Sequence, residues 1–203
     1  MRIFDCFMFY DEEVVLDIRL NSLKNSVDCF VIVESKFYHN GKKRELKFNI
    51  DNFPKFKDKI IYIVQDEEPL DLETLKKEDD EGTKSYKQIF NAHKRENFQR
   101  NQISKGLDKA NEDDLIMISD VDEIPNLRDL NVAKVNNKIV IFEQNIFYYK
   151  LNRYLEGFIW HGTKACKKKN LKSPQWIRNV KNKKFDFWRL DTFFSETKYI
   201  NKI

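Results

Sequence analysis

A chain of 203 residues, 41% hydrophobic and 34% charged, has room for one sizeable core beneath a wet surface. Its 17 Phe exclude a disordered chain, and a net charge of only +4 does not by itself argue for a nucleic-acid partner. Residues 2–9 predict a first strand, rich in Ile and Phe. DEEVVLDIRLNSLKN (11–25) predicts a helix with Val14, Val15, Ile18 and Leu23 on one face and acids in its first turn, where the helix dipole favours them. VDCFVIVES (27–35) is a nearly all-apolar second strand, as expected where both faces of a sheet are covered. A β-α-β unit of this kind crosses over right-handed into a parallel sheet.

KIIYIVQ (59–65) reads as a third strand, and the acidic stretch 66–84 as a surface loop or short irregular helix. A long helix follows over about 85–110, and then the strand DLIMIS. Residues 138–152 are β-rich, GFIWHGTKAC reads as one further strand, and a short helix runs from Ser173 (N-cap) and Pro174 through Val180. The pattern is α/β in one piece, 1–203.

Cys6, Cys29 and Cys166 are scattered, without a CxxC pair, which argues against a zinc site or a disulfide framework and for reduced thiols. The N-terminus is too short and too charged for a signal peptide or membrane anchor, so a cytoplasmic location is expected.

In DLIMISDVDEIP (114–125) an unbroken apolar run meets a knot of carboxylates. In open α/β sheets ligands bind at the carboxyl ends of the strands, and residues two apart in extended backbone share a face. Asp120 and Asp122 can therefore approach one divalent ion, magnesium or manganese, which would relieve their repulsion and stabilise a leaving diphosphate. A bare DxD is a weak motif, and a helix cap at Asp122 explains it as well.

FDCFMFYDEEVVLDIRLNSLKNSVDCFVIVES resembles the opening of the family 17 glycosyltransferases. FYHNGKKRELKF, RENFQRNQISKGL and ISDVDEIP fit the same family in the same order, covering most of residues 3–125. The resemblance implies a GT-A-like nucleotide-binding sandwich with a mostly parallel sheet. Its donor-nucleotide half would be 1–125, and its acceptor-side half 126–203, incomplete at the C-terminus. It implies a UDP-sugar donor carrying N-acetylglucosamine, a glycan acceptor, Mn2+ or Mg2+ on Asp120 and Asp122, and inversion by a single in-line displacement. Glu123 and Glu143 are the candidate general bases.

Arg95 and Arg100, with Asn101, are candidates for donor or acceptor contact on the long helix, against the plainer reading of a solvated face. Glu34, ending the second strand, is a candidate for the nucleotide side or for a turn. Asp5, inside an apolar strand, requires a cation or donor such as one of the arginines of the long helix. His93 and His161 read as ordinary histidines. Trp176, Trp188 and the aromatics of 146–149 read as core or as an acceptor groove. Two other functions compete. One is an aspartate-nucleophile phosphohydrolase, although Ile124 stands where that motif wants Thr or Val. The other is a non-catalytic RNA- or glycan-binding module using the Lys- and Trp-rich 164–189 stretch.

Overall fold

The computed structural model describes residues 1–128, 130, 138–150, 152–181 and 200–202, the last three by backbone alone. The elements in chain order are β1 (Ile3–Phe9), α1 (Glu13–Leu23), β2 (Cys29–Ser35), β3 (Ile60–Gln65), α2 (Glu81–Asn101) and β4 (Leu115–Ser119), followed by β5 (Ile139–Ile141), β6 (Gln144–Phe147), β7 (Tyr154–Trp160), β8 (Lys164–Lys167), α3 (Pro174–Asn179) and β9 (Ile200–Lys202). Seven strands form the central sheet in the order β3-β2-β1-β4-β8-β5-β9, and β6 and β7 form a separate hairpin. β1 to β4 run parallel, whereas β8 is antiparallel to both neighbours, β4 and β5. This is a mostly parallel α/β sandwich of the GT-A-like kind.

Strand alternation divides the core between two faces. Ile3, Phe7, Phe9, Phe30, Ile32, Leu115 and Met117 pack with α1 on one side. Phe4, Cys6, Val31, Val33, Ile116 and Ile118 pack on the other with Ile103, Leu107 and Ile177. With both faces covered, β4 reads as the continuous apolar run LIMIS and is buried throughout.

The first helix turns a different face inward from the expected one. Val14 is 75% exposed and Ile18 37% exposed, whereas Leu16, Arg19, Leu20 and Leu23 are buried. Those four follow the i, i+3, i+4, i+7 spacing of a helix stripe, with an arginine inside it. The second helix starts earlier than expected. Asp80 caps it by accepting from the Thr83 amide at 2.7 Å, and it tightens into a 3-10 turn over Gln102–Gly106. There Gly106 lies against β2, where a Cβ would come within 2.4 Å of Val31 Cγ1. GFIWHGTKAC is two strands, β7 and β8, broken at residues 161–163. The Ser173 cap is as expected: its hydroxyl accepts from the Trp176 amide at 3.0 Å, with Pro174 in the first turn.

Candidate functional site

The carboxyl end of β4 continues the strand alternation for one more residue. Ile116 and Ile118 face the α2 and α3 side, and Asp120 follows them there. Its Oδ1 accepts from Arg100 Nη2 of α2 at 3.1 Å, and its Oδ2 accepts from Arg178 Nη2 of α3 at 2.7 Å. These residues open onto a cleft of about 500 Å³, lined also by Glu96, Lys164 and His161 among others. Lys164 enters because β8 is antiparallel: its first residue pairs with Ile118, beside the end of β4.

Three cations therefore meet in the cleft. Arg100 is 3% exposed and also bonds Glu96 at 2.9 Å and Gln175, yet its Nε is buried without a partner. Arg178 is shared between Asp120 and Glu123 and donates to the Gly162 carbonyl. Burial, the largest single influence, lowers its pKa, but the charges and hydrogen bonds of Asp120 and Glu123 together outweigh it and hold the pKa above its ordinary value. Lys164 donates to the Arg178 carbonyl, and burial, followed by the charge of Arg178, brings its pKa down to about 8. Arg100, Arg178 and Lys164 bring donors suited to an anionic group such as a diphosphate into a cleft they share with Glu96 and Asp120.

The acidic residues divide. Glu123 is buried and saturated: Trp160 Nε1 and Arg178 each donate to Oε1 at 2.7 Å, and the Asp120 amide donates to Oε2 at 2.9 Å. Gly162 allows this packing, because a Cβ there would stand 2.7 Å from the Glu123 carboxyl carbon. Asp122 is exposed and makes no ion pair among the described residues. Partial desolvation, then the neighbouring Glu123 and Asp120 charges, raise its pKa above the ordinary value.

As ligands for a divalent ion, the two aspartates are not equivalent. Asp120 already spends both oxygens on guanidiniums, whereas Asp122 offers an unpaired carboxylate whose charge a cation would stabilise. Among the described residues no three His, Cys, Asp or Glu side chains converge as a complete ligand set. One carboxylate plus substrate phosphates and water is nonetheless a donor set that magnesium or manganese accepts.

The remaining candidates scatter. Asn101 accepts from the Gln175 amide at 3.0 Å and ties α2 to α3. Arg95 pairs with Glu68 and reaches the His39 carbonyl, away from the Asp120 cluster. Glu34 is fully buried. It holds Arg44 at 2.9 Å, the Lys47 and Phe48 amides, and the Tyr62 hydroxyl, which fixes the segment after β2. Glu143 stands 3.3 Å from His161, which lines the cleft as His93 does. Phe147, Tyr148 and Tyr149 are exposed on the β6–β7 hairpin, and Trp176 packs against the core. Trp188 lies outside the described residues. The basic stretch after 164 does not form one face: Lys167 and Lys169 pair with Asp113, while Arg178 turns into the cleft.

Asp5 does meet an arginine, but it is Arg19 of α1 and not one of the long helix, a residue the sequence left unassigned. Both side chains are fully buried, and Arg19 Nε and Nη2 donate to the two Asp5 oxygens at 2.8 and 2.6 Å. Arg178 and Lys164 were likewise unassigned, hidden in the Lys- and Trp-rich stretch that reads as a binding surface. An arginine inside an otherwise apolar helix stripe is the signal that could have revealed Arg19; nothing local marks the other two.

Among the described residues no helix is long and apolar enough to cross a membrane. A family model described as glycosyltransferase family 17 matches residues 1–182. A comparison with curated proteins returned no match.

Proposed function

The chain belongs to glycosyltransferase family 17 and is a glycosyltransferase, and from that premise we propose that it transfers N-acetylglucosamine from a UDP-sugar to a glycan acceptor with inversion, assisted by a divalent metal. The observation that carries the donor reading is the convergence of Arg100, Arg178 and Lys164 on one cleft at the carboxyl end of β4. In this reading the three cations hold the donor diphosphate and spread the negative charge that builds as UDP leaves. Asp120 orients the two arginines, and the exposed Asp122 would hold the metal. The ion, manganese or magnesium, supplies further stabilisation of charge on the leaving diphosphate.

Glu143, beside His161, is the better placed of the two candidate bases, since Glu123 is locked among three donors. It would take the proton of the acceptor hydroxyl as the sugar is displaced. A phosphohydrolase using Asp120 as nucleophile is disfavoured, because both oxygens of that carboxylate carry guanidiniums. The exposed rings of Phe147, Tyr148 and Tyr149 offer apolar faces to an acceptor sugar.

The test is a panel of nucleotide sugars, each with and without manganese, read as melting temperature and as slow donor hydrolysis. UDP-N-acetylglucosamine with manganese is expected to raise the melting temperature, and Asp122→Ala to abolish the metal-dependent part of that rise. Stabilisation by none of the panel would overturn the donor reading.

A further inference from the structure

Among the described residues Arg19 is the most deeply buried cation, and its donors do more than neutralise Asp5. Nη2 also donates to Ser119 Oγ at 2.5 Å, at the last residue of β4. Nη1 faces three backbone carbonyls of the following turn: Asp120 at 3.0 Å, Val121 at 3.0 Å and Glu123 at 3.1 Å. The turn is closed from within by the Glu123 amide donating to the Asp120 carbonyl and the Ile124 amide to the Asp122 carbonyl. Of this run only the Asp122 carbonyl does not accept from Arg19, and the Asp122 residue is exposed. The Phe7 ring lies 4.5 Å below the guanidinium carbon and closes the cage from the sheet side.

A buried ion pair is a poor device for stability, since desolvating both charges offsets most of their attraction. Its value lies in geometry. A guanidinium presents five N–H groups in a rigid plane, so it can fix the strand end and several carbonyls at once, which an ammonium cannot. We propose that Arg19, held by Asp5, is a positioning residue that presets the Ser119–Glu123 turn and so aims the Asp120 and Asp122 carboxylates. It acts from the face of the sheet opposite the cleft and touches no substrate. This inference rests on the donor-site reading for its functional consequence, but its structural half stands apart from it.

The experiment compares the wild-type chain with Arg19→Lys and Ser119→Ala. It uses amide hydrogen exchange resolved by residue and calorimetric titration with UDP plus manganese chloride. In Arg19→Lys the Asp120 and Glu123 amides are expected to exchange faster while those of β1 and β2 keep their wild-type rates. UDP–manganese should bind about tenfold or more weakly, the range typical when supports behind a metal ligand are removed. Ser119→Ala, which deletes one acceptor and keeps the Asp5 pair, should show the same local pattern at smaller amplitude, and it carries the test should Arg19→Lys not fold. Exchange that rises evenly across the sheet, or unchanged exchange in the turn, would overturn the proposal. So would wild-type UDP–manganese affinity in a variant whose turn has loosened. If the wild-type chain itself ignores UDP and manganese, the donor reading falls, and faster exchange confined to the turn still supports the clamp.

Discussion

Ser119 and Asp120 are consecutive residues gripped by different arginines on opposite faces of the sheet. Ser119 accepts from Arg19 at 2.5 Å beneath α1, and Asp120 accepts from Arg100 and Arg178 beneath α2 and α3. The strand alternation that buries LIMIS sets this division, and the acidic turn is held from both sides because of it.

Arg178 links Asp120, Glu123 and the Gly162 carbonyl, so Arg178→Met should leave the buried Glu123 carboxylate without its guanidinium, while Asp120 keeps Arg100. Leaving buried charge unpaired in this way typically costs about 3 kcal/mol or more. Urea unfolding should show a lower midpoint with an unchanged slope.

Lys164 gives a pH signature. Its pKa in the folded chain, about 8, lies below the unfolded value, so the unfolded chain holds more protons between roughly pH 8 and 10.5. The penalty of burying the charge is fully present below pH 8, and stability should rise as pH increases through that window. Donor binding should move the opposite way, weakening above about pH 8 as the cation is lost. Lys164→Met should bind more weakly at pH 7 and lose the inflection, which titration of UDP–manganese affinity against pH would read.

The two candidate bases should separate cleanly. Glu123→Gln presents an amide to donors that need an acceptor, so its melting temperature should fall by several degrees, at about 2–4 °C per kcal/mol for a chain of this size. Glu143→Gln, exposed and without Glu123's three buried donors, should lose less stability than Glu123→Gln does. Its kcat for sugar transfer should nonetheless drop about 100-fold or more. Thermal melts set beside transfer rates decide the assignment, and full activity in Glu143→Gln would end it.

Gly162 is where the chain passes directly over Glu123. A Cβ there would meet Gln144 Oε1 at 2.5 Å and the Glu123 carboxyl carbon at 2.7 Å. Gly162→Ala should cost about 1–3 kcal/mol through overpacking. It should also change the fluorescence of Trp160, whose indole bonds Glu123.

Much of the scaffold was legible in the sequence because it follows local rules. The opening β-α-β unit, the strands at 59–65 and 114–119 and the Ser173–Pro174 helix start all carry their own periodicity or cap. The inward face of α1 was not, because branched aliphatics at Val14 and Ile18 outweighed a stripe that an arginine interrupts. Of the site, the carboxylates were visible from their place at a strand end. Their partners were not: Arg100 lies 20 residues from Asp120 and Arg178 lies 58 away, and only tertiary packing brings them together. The strand break at 161–163 was hidden for the same reason, since Trp160 bonds the carboxylate and Thr163 the backbone carbonyl of Glu123, 37 and 40 positions earlier.

The reversed direction of β8 alters where along the chain this molecule stores its working side chains. In parallel strands the residues that reach the ligand rim come last, as Asp120 does after Ser119. Set head-to-tail against its neighbours, β8 delivers its leading residue to that rim, with His161 and Gly162 just ahead of it. A chain that had added this strand in the common orientation would have sent Lys167 to the cleft and left Lys164 at the far end of the sheet.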